Sequence, residues 1–398
     1  MLLPGEAKEL VDSGSYCPWN SISEKFAIVI SYGQRERRPG FEMGLVCSQN
    51  TPMKALVLSQ YNYLEVKDFP IPTPGLDEVL VRVSACGICG SDIHGYDGSS
   101  GRRIPPIVMG HEAAGTIAAL GRGVTNFAEK ERVTFDSTVS CGDCSFCQRG
   151  EVNLCNKRQV LGVSCCEYRR TGAFAEYVAV PASIVYRLPP SISFPEAALL
   201  EAVAVAVHAI SLADSVPKST ALVVGAGTIG LLCLQALRVA GCSHIFVTDI
   251  DESRLALAKS LGATAALSPE SGVASRVGQL TDGVGVDLVV EAVGRNVTVA
   301  ASIESVRKGG TVLLVGNISR EVTLPLQEVV TRQIRLQGSC ASAGEYPRSI
   351  ELMANGAINV KPLITAVAPL EEGPDWFRRL HAGEAGLTKV VLIPGGAT

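Results

Sequence analysis

Hydrophobic and polar positions change rhythm twice along the chain. From Met53 the run MKALVLSQYNYLEV alternates as a half-buried strand does. Residues 78–83, 113–119, 132–135 and 174–180 form further short apolar runs bounded by Gly and Pro turns. They predict a compact, partly antiparallel β domain. From about His208 strands alternate with helices. An apolar run at 221–224 leads into a glycine cluster, a helical pattern continues to Ala240, and a second strand at 245–247 ends at Asp249. A helix at 253–261 stops at Gly262, and strands follow at 287–291, 311–315 and 334–336. This alternation implies a parallel, doubly wound sheet. A helix at 346–355 and a strand at 389–393 remain, and are expected to rejoin the β domain. The expected division is an extension over 1–52, a β-rich part over 53–207, an inserted α/β unit over 208–344, and a return over 345–398. Residues 1–52 lack a sustained period apart from a strand-like run at 26–30. They read as an appendage or an over-called start, with Met53 as the natural beginning; an ordered N-terminal arm is the alternative.

Composition narrows the class. A chain of 398 residues, 47% apolar, has room for two or three domains and a large core. Aromatics are 5% and glycines number 40, which favours α/β layers over a β-sandwich. The net charge is −4 and the basic residues are scattered, which weighs against nucleic-acid binding. The longest apolar stretch, 197–213, carries Glu201 and His208 and falls short of a clean membrane span. The start has neither a basic region nor a continuous apolar region, so no secretory leader is expected. Thirteen cysteines then point to a reducing, cytoplasmic setting, where clustered Cys signals metal rather than disulfides.

Gly225, Gly227 and Gly230 form GxGxxG after a predicted strand and at a helix start. Glycines there allow a tight turn, backbone approach to a pyrophosphate, and close helix–strand contact. Asp249 ends the next strand, 19 residues after Gly230, where a carboxylate meets a ribose 2′-hydroxyl and repels a 2′-phosphate. NAD is therefore expected over NADP. Arg254 stands nearby and is read as an adenine or adenine-ribose contact, although an arginine there could accept phosphate.

Cys141, Cys144, Cys147 and Cys155 lie within fifteen residues as CxxCxxCx7C. Four thiolates on one short loop can close a tetrahedral zinc site with no open position. Chance clustering, two disulfides or an iron–sulfur site are the alternatives. A second set is dispersed: Cys89 in ACGICGSDIHGY, His111 and Glu112 in MGHEAAG, and Glu201 in ALLEAVAVAVHA. Mixed S, N and O ligation leaves room for water or substrate, as in catalytic zinc sites. Each residue alone reads as structural; Cys86, for one, reads as core. Ser91 and His94 follow Cys89 by two and five residues and could pass a proton to solvent, or simply cap a turn. Arg102 and Arg103 could meet a phosphate or form a solvated loop.

The motifs GICGSDIH, GHEAAG, the four-cysteine loop, TGAFAEYV, GAGTIGLL and NVKPLI together resemble the zinc-containing medium-chain dehydrogenases, closest to their polyol (sorbitol/L-iditol) branch. The resemblance runs from Met53 to the C-terminus. It implies a GroES-like β-rich catalytic domain with an inserted Rossmann sheet, two zinc ions per chain, and NAD-dependent oxidation of a secondary alcohol or polyol to a ketone. It implies that Cys89, His111 and Glu112 ligate the catalytic zinc, that Glu201 reaches it directly or through water, and that Ser91 and His94 form the proton relay. Ile229, Asp249 and Arg254 would meet the nucleotide, and Val315, Gly316, Asn317, Ser339, Cys340 and Ala341 would run along the nicotinamide. A homodimer or homotetramer is implied in the same way. Two positions depart from the branch: Ala341 stands where an arginine is usual, and Gly95 where an aromatic often follows the relay histidine; Tyr96 could compensate for the latter. Same-fold alternatives are a dehydrogenase of a galactitol-1-phosphate-like sugar-alcohol phosphate, of threonine, or of butanediol. A non-catalytic zinc and nucleotide binder is the remote one.

Overall fold

The computed structural model describes residues 52–165 and 168–395. The expectations for residues 1–51, including the strand-like run, lie outside the described residues. The alternating run that begins at Met53 is two strands, not one: Pro52–Gln60 and Tyr63–Pro70 pair antiparallel. Asn62, at φ 62°, turns the chain in the left-handed conformation that Asn tolerates in tight hairpins.

A seven-stranded sheet follows, in the order Val185–Arg187, Arg132–Phe135, Glu112–Leu120, Glu78–Gly87, Lys389–Ile393, Ile364–Pro369, with Tyr177–Pro181 also on Glu78–Gly87. Strand Lys389–Ile393 pairs antiparallel with the end of Glu78–Gly87, Val391 opposite Gly87. Across the same strand Gly87 faces Glu112. Three distant segments therefore meet at one corner of the sheet, where the chain leaves Gly87 towards Cys89.

The second sheet is parallel, with six strands in the order Ala265–Leu267, His244–Thr248, Thr220–Val224, Val286–Glu291, Val306–Leu314, Arg335–Gly338. Numbered along the chain this is 3-2-1-4-5-6, the Rossmann order. Successive residues of Thr220–Val224 point to opposite faces, and both faces are buried. Ala221 and Val223 join a cluster with Leu231, Leu234 and Leu237, while Leu222 and Val224 join one with Val289, Val299 and Ile303. This double burial explains the continuous apolar run.

The first of these clusters also takes in Ala85 and Val391 of the first sheet and Ala202 and Val203 of the helix Leu200–Ser211. That helix is wedged between the two sheets and buried on most sides, so it reads as apolar nearly all round. The stretch Phe194–Ser211 has the length and composition of a membrane span, but most of it is buried inside the protein.

Candidate active site

The strand Glu78–Gly87 ends at the corner described above, and Cys89 caps the helix Gly90–Tyr96. Its Sγ accepts the Ser91 N–H at 3.4 Å, while the Asp92 carboxylate accepts the Cys89 N–H at 3.1 Å. This reciprocal cap fixes the direction of the thiol. The strand pairing supplies His111 and Glu112. Ligand atoms of Cys89, His111 and Glu112 all lie within 4.8 Å of one another, and both His111 and Glu112 are buried. One sulfur, one nitrogen and one oxygen thus converge as a metal requires. Asp92 Oδ1 stands 3.4 Å from His111 Nδ1. Carboxylates in this position orient a ligating imidazole and leave Nε2 to the metal. Burial opposes the Asp92 charge, but His111, Arg103 and the Cys89 N–H hold its carboxyl down at about 2.

Glu112 has a partner that its motif does not announce. Lys389 Nζ donates to both Glu112 oxygens, at 2.7 and 2.9 Å, and to the Ile88 carbonyl at 3.1 Å. Both side chains of the pair are almost fully buried. Burial works against the ammonium, yet Glu112 and Cys89 keep Lys389 charged and raise its pKa. A lone lysine at the head of the apolar strand KVVLI was the available sign of a buried carboxylate opposite.

Glu201 lies in the first turn of Leu200–Ser211, outside the close set of three donors. Ser137 Oγ donates to its Oε1 at 3.4 Å. Burial pushes its carboxyl up to about 7, with Glu112 and Asp136 adding to the rise and His111 opposing it. Asp136, which accepts the Thr138 N–H at 2.8 Å and the Ser342 hydroxyl at 3.4 Å, is likewise pushed up to about 6, chiefly by burial. A carboxyl whose folded-state pKa is raised favours folding while protonated. That contribution is lost as pH rises from about 4 towards 6. In metal-stripped protein, Asp136→Asn should therefore raise stability at pH 8 by on the order of 2 kcal/mol, and the gain should vanish by pH 4. Chemical denaturation at the two pH values measures this; an equal effect at both would show that Asp136 ionises freely.

Ser91 is exposed and His94 is half-buried, one turn further along the same helix. Ser91 Oγ accepts from Arg103 Nη2 at 3.2 Å, and His94 Nδ1 lies 3.4 Å from Ser99 Oγ. Arg103 is buried, which corrects the expectation of a solvated or phosphate-facing loop; Arg102 alone is exposed. Tyr96 does not replace the aromatic missing at Gly95. It is buried, donates its hydroxyl to the Asn62 carbonyl at 2.9 Å, and packs on Phe377.

The sulfurs of the four-cysteine loop are separated by 3.4 Å (Cys141–Cys155), 3.5 Å (Cys144–Cys147) and 3.9 Å (Cys141–Cys147). A tetrahedral zinc with Zn–S of about 2.3 Å places its sulfurs about 3.8 Å apart, so the thiols fit that ion, and they are too far apart for disulfides. Backbone N–H groups of Cys147 and Asn156 pull the Cys144 thiol down to about 6, towards the thiolate that a metal binds. The same loop grips a distant segment: Asn153 Nδ2 donates to the Cys340 carbonyl at 2.7 Å. Beyond it, Glu345 pairs with His208 Nδ1 at 2.8 Å and accepts the Ala343 N–H at 2.5 Å. Ser339 is tied back to the sheet, its N–H donating to the Leu314 carbonyl at 2.9 Å, and Ala341 takes φ 51°.

Gly225 leaves the first strand of the parallel sheet at φ 97°, at the point where strand order reverses. A Cβ on Gly230 would lie 1.7 Å from the Gly225 carbonyl, so helix Thr228–Val239 can sit this close only with glycine there. Gly227 faces open space, which leaves backbone room for a pyrophosphate. Ile229 is half-buried at the helix start. Asp249 leans over the loop, accepting the Ala226 N–H at 2.6 Å and the Asp251 N–H at 2.9 Å. Arg254 Nη2 donates to the Leu387 carbonyl at 3.3 Å. Val315 and Gly316 donate to the Glu291 carbonyl at 2.9 and 3.0 Å, and Asn317 follows on the same crossing of the sheet edge.

Comparison with known proteins agrees with this geometry. Residues 75–190 match the alcohol dehydrogenase GroES-like domain, and residues 228–355 match the zinc-binding dehydrogenase family. The chain is 34% identical to sorbitol dehydrogenase of Bacillus subtilis over 86% of its own length and 97% of that protein. It is also 34% identical to D-xylulose reductase A of Aspergillus oryzae, over 85% and 96% respectively. A solved zinc-binding dehydrogenase of Sinorhizobium meliloti bound to NADP is similar at TM-score 0.79 and 33% identity, covering 86% of this chain and all of that one. With both domains matched and both sheets in place, the chain belongs to the zinc-containing medium-chain dehydrogenases, in their polyol dehydrogenase-like branch, and is an oxidoreductase of alcohols that uses a nicotinamide cofactor.

Proposed function

We propose that this enzyme oxidises a polyol or secondary alcohol to the ketone with NAD⁺ as hydride acceptor. The observation that carries the reading is the convergence of Cys89, His111 and Glu112 beside the exposed hydroxyl of Ser91. Cys89, His111 and Glu112 would hold a zinc ion, with Glu201 reaching it directly or through water. The Cys141, Cys144, Cys147 and Cys155 thiolates would hold a second. Bound zinc supplies Lewis acidity towards an alcohol oxygen, and NAD⁺ accepts the hydride. Asp92, whose Oδ1 stands 3.4 Å from His111 Nδ1, would accept the Nδ1 proton and leave Nε2 for the metal. Ser91 would take the proton that leaves the substrate hydroxyl, and His94, one turn further along the same helix with its Nδ1 3.4 Å from Ser99 Oγ, would deliver it to solvent. The substrate carbon gives up hydride as the hydroxyl gives up its proton, so the product is a ketone. The Ala341 departure bears on which polyol is accepted and leaves the reaction type unchanged. Initial rates of NADH formation across a panel of pentitols, hexitols, butanediol, threonine and a sugar-alcohol phosphate test the reading; no turnover with any alcohol would sink it.

Cofactor choice should hinge on Asp249. Its carboxylate, already beside the glycine loop, accepts hydrogen bonds from ribose hydroxyls and sets like charge against a 2′-phosphate. Asp249→Ser should weaken NAD by about 1–3 kcal/mol, roughly tenfold to a hundredfold in KM, and relax the bar to NADP. Initial rates with each cofactor at saturating alcohol decide it. A wild type that prefers NADP would mean that Asp249 does not face the ribose.

A further inference from the structure

We propose that Arg103 is a positioning residue that sets Ser91 and Asp92 from beneath the Gly90–Tyr96 helix, and that residue 95 is glycine in order to admit it. The inference rests on the roles assigned above to Ser91 and His111.

Arg103 is 3% exposed, and its aliphatic stem crosses the helix at Gly95. A Cβ on Gly95 would stand 2.6 Å from Arg103 Cγ, 2.9 Å from Cδ and 3.1 Å from Cβ. No alanine fits there while the arginine keeps its place. The stem delivers one nitrogen, Nη2, to two acceptors: Asp92 Oδ1 at 3.1 Å and Ser91 Oγ at 3.2 Å. Nη2 carries two hydrogens, so both bonds can form together.

Each bond has a consequence. Asp92 Oδ1 is the oxygen that faces His111 Nδ1, so the guanidinium locks the carboxylate that orients the imidazole. A hydroxyl has one hydrogen and two acceptor lone pairs. With Arg103 holding one lone pair, Ser91 keeps one lone pair to receive a proton and one hydrogen to give away, as a relay needs. Arginine accepts no proton, so the relay cannot leak into it. Packing alone does not account for the arrangement. Arg103 Nε is buried without a partner among the described residues, and a buried cation with an unmet donor costs stability.

The test uses the full-length, zinc-loaded enzyme and the variants R103M, R103K, G95A and R103M/G95A, with Ser91→Ala alongside. R103M should lower kcat by roughly tenfold to a hundredfold with little change in the alcohol KM, and should lose its catalytic metal to a chelator roughly tenfold faster. The visible spectrum of the cobalt-exchanged site should shift in the same variant. R103K should recover part of kcat. G95A retains the arginine but displaces it, so it should move in the same direction as R103M. The double variant should then be no worse than R103M alone. A merely structural role predicts that G95A and R103M lose stability through the clash or the lost packing while the folded enzyme keeps its kcat and cobalt spectrum. Wild-type kcat and cobalt spectrum in R103M and G95A, or additive losses in the double variant, would overturn the proposal. If R103M does not fold, R103K and G95A, which keep the charge, decide it by the same readouts. Ser91→Ala separates the two readings. Full kcat in Ser91→Ala overturns the relay itself, whereas a loss there beside unaffected Arg103 variants overturns only the role of Arg103.

Discussion

Cys89→Ala should abolish turnover and leave a folded protein with one zinc ion in place of two. The thiolate is the one soft donor of the dispersed set, and His111 and Glu112 alone make a weak site. Lewis acidity contributes several kcal/mol to reactions of this kind, so a loss of about a thousandfold or more in rate is expected. Folding should survive for reasons visible at the corner of the first sheet. The substitution removes one helix cap, which costs about 1 kcal/mol, while the Asp92 carboxylate still holds the residue 89 N–H. Glu112 keeps both of its bonds to Lys389, so no buried charge is orphaned. Metal analysis, melting temperature and NADH formation on the same preparation check this. An active Cys89→Ala enzyme, or a wild type with a single zinc, would refute the assignment.

Cys144→Ala should do the reverse: the chemistry at Cys89 is untouched, but the protein should be obtained in poor yield and melt several degrees lower. The loop that bears the four cysteines has little apolar content, and among its described side chains only Asn153 and Cys155 are buried. Its shape therefore depends on the cross-link, and metal binding to such a loop is folding energy. The damage should spread, because Asn153 holds the Cys340 carbonyl and Cys340 belongs to the segment proposed to run along the nicotinamide. A raised KM for NAD is expected in whatever fraction folds. Limited proteolysis should cut first within 141–155. Wild-type melting and two retained zinc ions would show that the loop stands without its fourth thiol.

These two sites differ in how legible they were. The four cysteines sit within one loop, so their spacing already implies one tetrahedron. The glycine fingerprint is equally local: Gly225 and Gly230 are five residues apart, and the contact that forbids a side chain at Gly230 is with the Gly225 carbonyl. The parallel sheet was legible because its central strands, Thr220–Val224 and Val286–Glu291, are buried almost throughout and read as continuous apolar runs between helical stretches. The hairpin at Asn62 was not, since alternation continues through a two-residue turn whose only signal is the asparagine.

What the sequence determined by itself were properties carried by neighbours along the chain: the alternating elements, the glycine turn, the closed set of thiols, and the candidate donors as residue types. Tertiary structure alone decided which distant groups meet. Lys389 lies 277 residues from Glu112, and only the pairing of Lys389–Ile393 with Glu78–Gly87 brings it to that carboxylate. Arg103 reads as one of two loop arginines, and its burial depends on space left at Gly95. Asp136 looks like an ordinary acid until burial takes its water away, and Glu201, already conspicuous in its apolar run, owes its raised pKa to burial as well. Charge, protonation and partnership are set by what surrounds a group in three dimensions, and a single chain of letters records that only where the surroundings are also its neighbours in sequence.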